Sequence, residues 1–205
     1  MNLDTQNLPW IDVNYDIPNK AELLGLIKSV ELVLADNKVD EAYDGVYRRA
    51  HNLTIGKLWE HNNINAEGYD MKPLPDQKPY KELLDLTYET SIQVKKDLDL
   101  PEKLLFHCGL FIFVPKQTRI AYHVDSFRNC NVSMPLANEG SYTRWKLPNG
   151  ETVETSYSQT AVLDTYTPHC VDNRSDNDRY NYQLTFNPDV YIDDIRSLFL
   201  GFVHA

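Results

Sequence analysis

The sequence predicts a mainly β fold, an all-β sandwich or barrel of which the jelly roll is one member, with helices packed on one sheet. After Pro101 the chain reads as about eight short strands separated by turn residues, which is typical of such folds. Pro148-Asn149-Gly150 carries the Asn-Gly pair of a tight hairpin. The chain length suits one domain, with support in residues 1–100, the β core in 101–190 and a cap in 191–205.

Two helices are predicted in the N-terminal half. The first covers about residues 20–35, and its apolar stripe needs a partner such as the outer face of a sheet. That stripe comprises Leu23, Ile27, Val30 and Leu34. The second covers about residues 80–98 and is closed by Pro101. Residues 36–79 between them are hard to assign: 43–47 and 53–58 suit short strands or turns, and the prolines of 71–79 impose extended, irregular backbone. The sequence does not decide whether this region forms a substrate lid.

The β region follows from short apolar runs bounded by turn residues. The strands are predicted at residues 104–114, 119–124, 131–136, 142–147, 152–157, 160–164, 168–172 and 180–186. We expect the last two to pair as a hairpin across the polar turn 173–179, and we expect Asn173 to fix that turn. Residues 191–203 are expected to add a short helix over one end.

Composition excludes several classes of protein. The chain has 205 residues, a formal net charge of −10 and no run of Lys and Arg, so a nucleic-acid partner is not expected. The three cysteines lack CxxC spacing, which argues against a disulfide framework or a zinc knuckle and fits a reducing compartment. No signal peptide or long apolar stretch is present in the sequence, so we expect a cytoplasmic protein without a membrane partner.

A candidate metal site lies in the strand region. Residues i and i+2 of a strand point to one side, so His123 and Asp125 can share a metal, and we expect His169 to add a third ligand from the opposite sheet. Two histidines and a carboxylate with open positions suit non-haem Fe(II). The simpler interpretation of each histidine is a satisfied polar residue at a strand end. Arg179 is expected beside the His169 strand, where it would bind the far carboxylate of a chelating organic acid.

These motifs resemble those of the 2-oxoglutarate/Fe(II)-dependent oxygenases. Tyr122-His-Val-Asp-Ser-Phe-Arg128 and Thr167-Pro-His-Cys-Val-Asp-Asn173, followed by Arg179, carry the resemblance, which covers about 80 residues. The spacing from His169 to Asn173 and Arg179 is most similar to the aspartyl/asparaginyl β-hydroxylase-like branch. Asp125 departs from the His-x-Gly of its mammalian-type members.

The resemblance implies a double-stranded β-helix with flanking helices. It implies that His123, Asp125 and His169 hold Fe(II), and that Arg179 pairs with the C5 carboxylate of 2-oxoglutarate. Arg128 is a further candidate for a co-substrate or substrate carboxylate, or else a surface cation. The implied reaction consumes 2-oxoglutarate and O2, releases succinate and CO2, and hydroxylates an amino-acid side chain, peptidyl or free, or a small metabolite.

Two alternatives stay open at this point. One keeps the barrel and the metal but not 2-oxoglutarate, as in a cupin-type metalloenzyme, and Arg179 argues against it. The other is a non-catalytic jelly-roll module that binds carbohydrate or protein, with the His-x-Asp accidental. A halogenase is disfavoured because Asp125 stands where that chemistry usually needs a small residue.

Overall fold

Two antiparallel sheets form the centre of the molecule. The computed structural model describes residues 8–29, 41–42, 51–55, 78–125 and 128–202. Within these ranges the strands are β1 (Trp10–Asp12), β2 (Glu41–Ala42), β3 (His51–Ile55), β4 (Leu105–Val114), β5 (Thr118–His123), β6 (Cys130–Ala137), β7 (Ser141–Lys146), β8 (Thr152–Thr155), β9 (Ala161–Asp164), β10 (His169–Asn173) and β11 (Arg179–Phe186). The helices are α1 (Lys20–Ser29), α2 (Lys78–Asp97) and α3 (Ile192–Ile195), with short 3₁₀ turns at Glu102–Leu104 and Arg196–Phe199.

The strand order identifies the architecture. One sheet runs β1-β9-β6-β11-β4-β3 and the other β2-β5-β10-β7-β8, with every neighbouring pair antiparallel. Strands that follow one another in the chain from β9 to β11 alternate between the sheets, as a double-stranded β-helix requires. The predicted fold class, mainly β with flanking helices, is confirmed.

The most extensive apolar cluster of the described residues lies on the outer face of the six-stranded sheet. There α1 packs on β6 and against α2, and fully buried side chains of the two helices, including Leu23, Ile27 and Leu83, join the residues of β6 and β11 in one cluster. Each such side chain contributes about 1.5–3 kcal/mol when it leaves water. The predicted stripe of the first helix therefore packs as expected, although the residues predicted beyond Ser29 lie outside the described chain.

The inner faces of β6 and β11 are buried as well, but their side chains are polar. Every residue of β11 except Tyr180 is buried, and so are the first seven residues of β6. Side chains alternate along a strand, so the residues between the apolar ones point between the two sheets. These inward residues are Asn131, Ser133, Arg179, Asn181, Gln183 and Thr185. These two strands therefore present polar side chains to the space between the sheets, beside apolar residues such as Val114 and Val171.

The local predictions largely hold. The hairpin at Pro148-Asn149-Gly150 is confirmed: β7 pairs with β8, Gly150 N donates to Leu147 O at 2.9 Å, and Gly150 takes φ +87°. The predicted C-terminal helix corresponds to α3 and the following 3₁₀ turn. Of residues 36–79, β2, β3 and the first two residues of α2 are described, and the remainder of the possible lid lies outside the described residues.

The prediction that β10 and β11 pair as a hairpin is wrong. β10 pairs with β5 and β7, whereas β11 pairs with β4 and β6, so the turn between them crosses from one sheet to the other. Asn173 fixes this crossing, as predicted, because its amide Nδ2 donates to the carbonyls of Val114, Pro115 and Asn177 at 3.0–3.1 Å. No helix in the described ranges has the length and apolar character needed to cross a membrane.

Candidate metal centre

His123, Asp125 and His169 come together at one end of the barrel. β5 ends at His123 and β10 begins at His169, and these two residues face each other in the antiparallel ladder. Their rings lie 4.4 Å apart between centroids, and His123 Nε2 is 3.5 Å from Asp125 Oδ1. One potential ligand atom from each of the three residues lies within 4.8 Å of the others. At this spacing a single metal ion can contact one atom of each residue.

The expectation that His169 would come from the opposite sheet is wrong, since β5 and β10 are neighbours in the five-stranded sheet. His169 pairs with His123 and Val171 with Ile120, so β5 has two residues, Ala121 and Tyr122, opposite Cys170. This bulge adds one residue to β5 and re-aims the side chains that follow it. Ile120 packs inside the barrel, and the extra residue returns His123 to that inner face three positions later.

Backbone carbonyls orient both imidazoles. His123 Nδ1 lies 2.8 Å from Ala121 O, and His169 Nδ1 lies 3.1 Å from Thr167 O. With each Nδ1–H donating to a carbonyl, the Nε2 lone pair is left for a metal. The same contact, from a histidine to the carbonyl two residues before it, recurs on both strands.

The charge states also suit a metal. Burial is the largest influence on Asp125 and raises its pKa, but Arg128, His169 and His123 together bring the pKa below its usual range. Burial lowers the pKa of His169 to about 4, with Asp125 acting in the opposite direction. Asp125 is therefore ionised and His169 neutral, which are the forms that ligate cations.

The loop before β10 holds the site in shape. Asp164 accepts hydrogen bonds from Tyr166 N at 2.8 Å, Thr167 N at 3.1 Å and Thr167 Oγ1 at 2.6 Å. Beside it, Asp125 N donates to Thr165 O at 3.1 Å. His123 keeps 39% of its side chain exposed. The loop before β10 thus fixes the triad on one side, and the His123 side is open to solvent.

Arg179 lies in the barrel interior, with 2% of its surface exposed. Its register partner Val114 packs on Val171 of the facing sheet, which places the arginine on the inner face. Nη2 donates to Tyr157 Oη at 2.7 Å and to the side-chain oxygen of Asn181 at 2.7 Å. Nε and Nη1 have no hydrogen-bond partner among the described residues, and no described carboxylate pairs with the guanidinium.

Other buried polar groups of the interior share this lack of partners. Both amide atoms of Asn131, the hydroxyls of Ser141 and Thr143, and the Oε1 atom of Gln183 make no hydrogen bond within the described part of the chain. Leaving a buried polar atom unpaired costs about 1–3 kcal/mol. An interior of this kind fits a polar, anionic ligand, which would supply acceptors to Arg179.

The structure places the remaining predicted residue, Arg128, against the triad. Its Nε donates to Asp125 Oδ2 at 2.5 Å, and the predicted role in binding a co-substrate carboxylate stays a prediction. Tyr157 and Asn181, the partners of Arg179, were not found from the sequence. Asn181 had a readable signal, because polar residues alternate along β11 from Arg179 to Thr185. Tyr157 had none, because it follows the edge strand β8 and reaches Arg179 only in the folded chain.

No protein-family model matches the chain, and no curated protein matches its sequence. Its fold is similar to that of an oxidoreductase of the 2OG-Fe(II) oxygenase family from Burkholderia pseudomallei, with 13% identity over 85% of this chain and 81% of that one and a TM-score of 0.52. It is also similar to a C-terminally truncated protein from Neurospora crassa in its apo form, with 12% identity, coverage of 89% and 84% and a TM-score of 0.51. A third similar structure is the non-heme alpha-ketoglutarate-dependent carbocyclase SnoK from nogalamycin biosynthesis, with 11% identity, coverage of 96% and 89% and a TM-score of 0.50. At such identities the likeness establishes a shared fold.

Proposed function

We propose that this chain is an Fe(II)- and 2-oxoglutarate-dependent dioxygenase that hydroxylates an amino-acid side chain, peptidyl or free, or a small metabolite. The observation that carries the proposal is one barrel interior that holds both a His-Asp-His triad and a buried arginine, two of whose guanidinium nitrogens have no hydrogen-bond partner among the described residues. A metal site alone would fit many cupin-type enzymes. The buried guanidinium in addition favours an anionic ligand, which would supply the missing counter-charge.

The donor set supports iron. Two imidazoles and one carboxylate with open positions are typical of non-haem Fe(II) sites that activate oxygen. His123, Asp125 and His169 would hold the ion, through Nε2 of each histidine and a carboxylate oxygen. When bound, the iron and 2-oxoglutarate would let O2 oxidise the co-substrate to succinate and CO2, with one oxygen atom entering succinate and the other a substrate C–H bond.

Arg179 would bind the distal carboxylate of the co-substrate. Hydrogen bonds from a guanidinium to a carboxylate are charge-assisted and therefore strong. Tyr157 and Asn181 occupy Nη2, which leaves the single N–H of Nε and the two N–H groups of Nη1 for the ligand. Tyr157 is itself positioned by Ser133, whose Oγ lies 2.8 Å from the phenol oxygen. The contacts with Tyr157 and Asn181 therefore orient the arginine before any ligand arrives.

The substrate would approach from the open side of the triad. Val124, Tyr166 and Tyr191 are among the few large hydrophobic residues that are exposed in the described chain. Tyr166 directly follows Thr165, whose carbonyl holds Asp125, and its ring packs edge-on against Tyr191 at 5.3 Å. Grouped exposed apolar side chains are typical of binding surfaces. They suit an organic or peptide substrate, and the strongly acidic chain makes nucleic acid an unfavourable partner.

Membership of the aspartyl/asparaginyl β-hydroxylase-like branch and a cytoplasmic location are further parts of this proposal. The branch rests on the spacing of His169, Asn173 and Arg179 in the sequence. The location rests on the cysteine pattern, and the described cysteines Cys130 and Cys170 are free and buried.

The proposal is tested by following succinate formed from 2-oxoglutarate by the purified chain with Fe(II), ascorbate and air. We expect slow succinate release without a prime substrate, and its loss in His169→Ala. A chain that binds no metal and forms no succinate would instead support the non-catalytic module. Binding of metal without 2-oxoglutarate turnover would support the cupin-type alternative.

A further inference from the structure

The two carboxylate oxygens of Asp125 have different surroundings. Oδ1 faces the triad, 3.5 Å from His123 Nε2. Oδ2 accepts a hydrogen bond from Arg128 Nε at 2.5 Å. Only 10% of the Asp125 side chain and 5% of the Arg128 side chain are exposed, so water competes little for this ion pair. Charge-assisted hydrogen bonds of this kind are about twice as strong as neutral ones.

The backbone around this ion pair is tied into a closed ring. Thr165 Oγ1 donates to Arg128 O at 3.1 Å, and Asp125 N donates to Thr165 O at 3.1 Å. Thr165 N in turn donates to Asn129 O at 2.9 Å. Because Thr165 holds both the residue bearing the carboxylate and the residue bearing the guanidinium, their separation is fixed. The carboxylate therefore has little freedom to rotate away from Arg128.

We propose that Arg128 is a positioning residue that holds Asp125 as a one-oxygen metal ligand. This inference rests on the proposed function, in that it requires a metal at the triad. Aspartate binds metals through one oxygen or two. Oδ2 is engaged by Arg128 and Oδ1 is free to face the ion, so the site keeps one more open position than it would with both oxygens bound.

That additional position matters for the proposed chemistry. Two histidines and one carboxylate oxygen leave about three positions of an octahedral ion open. A chelating 2-oxoglutarate would fill two of them and leave one for dioxygen. A carboxylate that used both oxygens would take the last, so freeing Asp125 would make the second carboxylate oxygen compete with dioxygen.

The experiment counts exchangeable waters on Mn(II) bound to the full chain without 2-oxoglutarate, using water-proton relaxation. We expect about three waters in the wild type and one fewer in Arg128→Gln, whose side chain is too short and uncharged to hold Oδ2. Arg128→Lys should restore the wild-type count, because an ammonium can donate to the same oxygen. Lys116→Gln is the control, since it removes the same charge from the exposed turn between β4 and β5.

An unchanged water count in Arg128→Gln would overturn the inference, and weaker 2-oxoglutarate binding with that unchanged count would assign Arg128 to the co-substrate instead. Should Arg128→Gln fail to fold, the wild-type protein with Mn(II) decides alone: a crystal structure with both Asp125 oxygens on the ion overturns the inference, and one oxygen supports it. Failure of the wild type to bind Mn(II) at all would instead refute the proposed function, together with the inference that rests on it.

Discussion

Replacing Arg179 with methionine tests the role of the buried guanidinium. The substitution removes the two guanidinium nitrogens that have no partner among the described residues, Nε and Nη1, and with them the donors for two hydrogen bonds to the co-substrate carboxylate. Each hydrogen bond to a charged group contributes about 1.5–3 kcal/mol, so losing two should cost at least about 3 kcal/mol of binding free energy. That corresponds to a loss of 2-oxoglutarate affinity of about 100-fold or more.

The stability of the ligand-free protein should respond differently. A buried charge without a counter-charge is costly to desolvate, so we expect Arg179→Met to leave the free energy of unfolding nearly unchanged or to raise it. Isothermal titration of 2-oxoglutarate into the metal-loaded protein without oxygen, together with urea unfolding of the apo-protein, measures both effects. Arg174→Gln is the matched control, because it also removes one arginine charge, and Arg174 pairs with the carboxylates of Glu154 and Asp172. A 2-oxoglutarate affinity of Arg179→Met within about threefold of the wild type would refute this reasoning.

Three further changes have defined outcomes. Leu23→Ala removes a fully buried side chain of α1, so urea unfolding should show that the free energy of unfolding falls by about 2–5 kcal/mol. The metal affinity per folded molecule should be unchanged. Tyr157→Phe removes the hydroxyl that orients Arg179 and should weaken 2-oxoglutarate binding about fivefold in the same titration, against an unchanged metal affinity. Burial raises the pKa of Cys130 to about 12, so its thiol stays protonated, and peptide mapping after iodoacetamide treatment at about pH 8 should find it modified only once the chain is unfolded.

The elements that sequence patterns predicted are those specified locally. The apolar stripe of α1, the Asn-Gly hairpin and most strand limits depend on residues within a few positions of one another. The pairing of β10 with β11 was predicted wrongly, because a short polar turn such as 173–179 suits a hairpin and a crossing between sheets equally well. Which sheet each strand joins depends on competition with β4, β5, β6 and β7, and that information is spread along the chain.

The site divides in the same way. The residue types of the triad were readable, since His-x-Asp and a later histidine form a known ligand set. The bulge at Ala121 and Tyr122 could not be predicted, because neither residue type is a signal for a bulge. The bulge nevertheless decides that His123 faces inward. The contact of Arg128 with Asp125 was equally hidden, since three residues of spacing permit a surface cation as readily as an ion pair.

The most direct test of the proposed function is anaerobic titration of the apo-protein with Fe(II) and 2-oxoglutarate. Bidentate binding of the co-substrate to iron should produce a visible metal-to-ligand charge-transfer band that needs both components. We expect the band in the wild type, its loss in His169→Ala, and a strongly raised 2-oxoglutarate requirement in Arg179→Met. A well-folded wild-type protein that binds Fe(II) and yields no band at any 2-oxoglutarate concentration would contradict the proposed function.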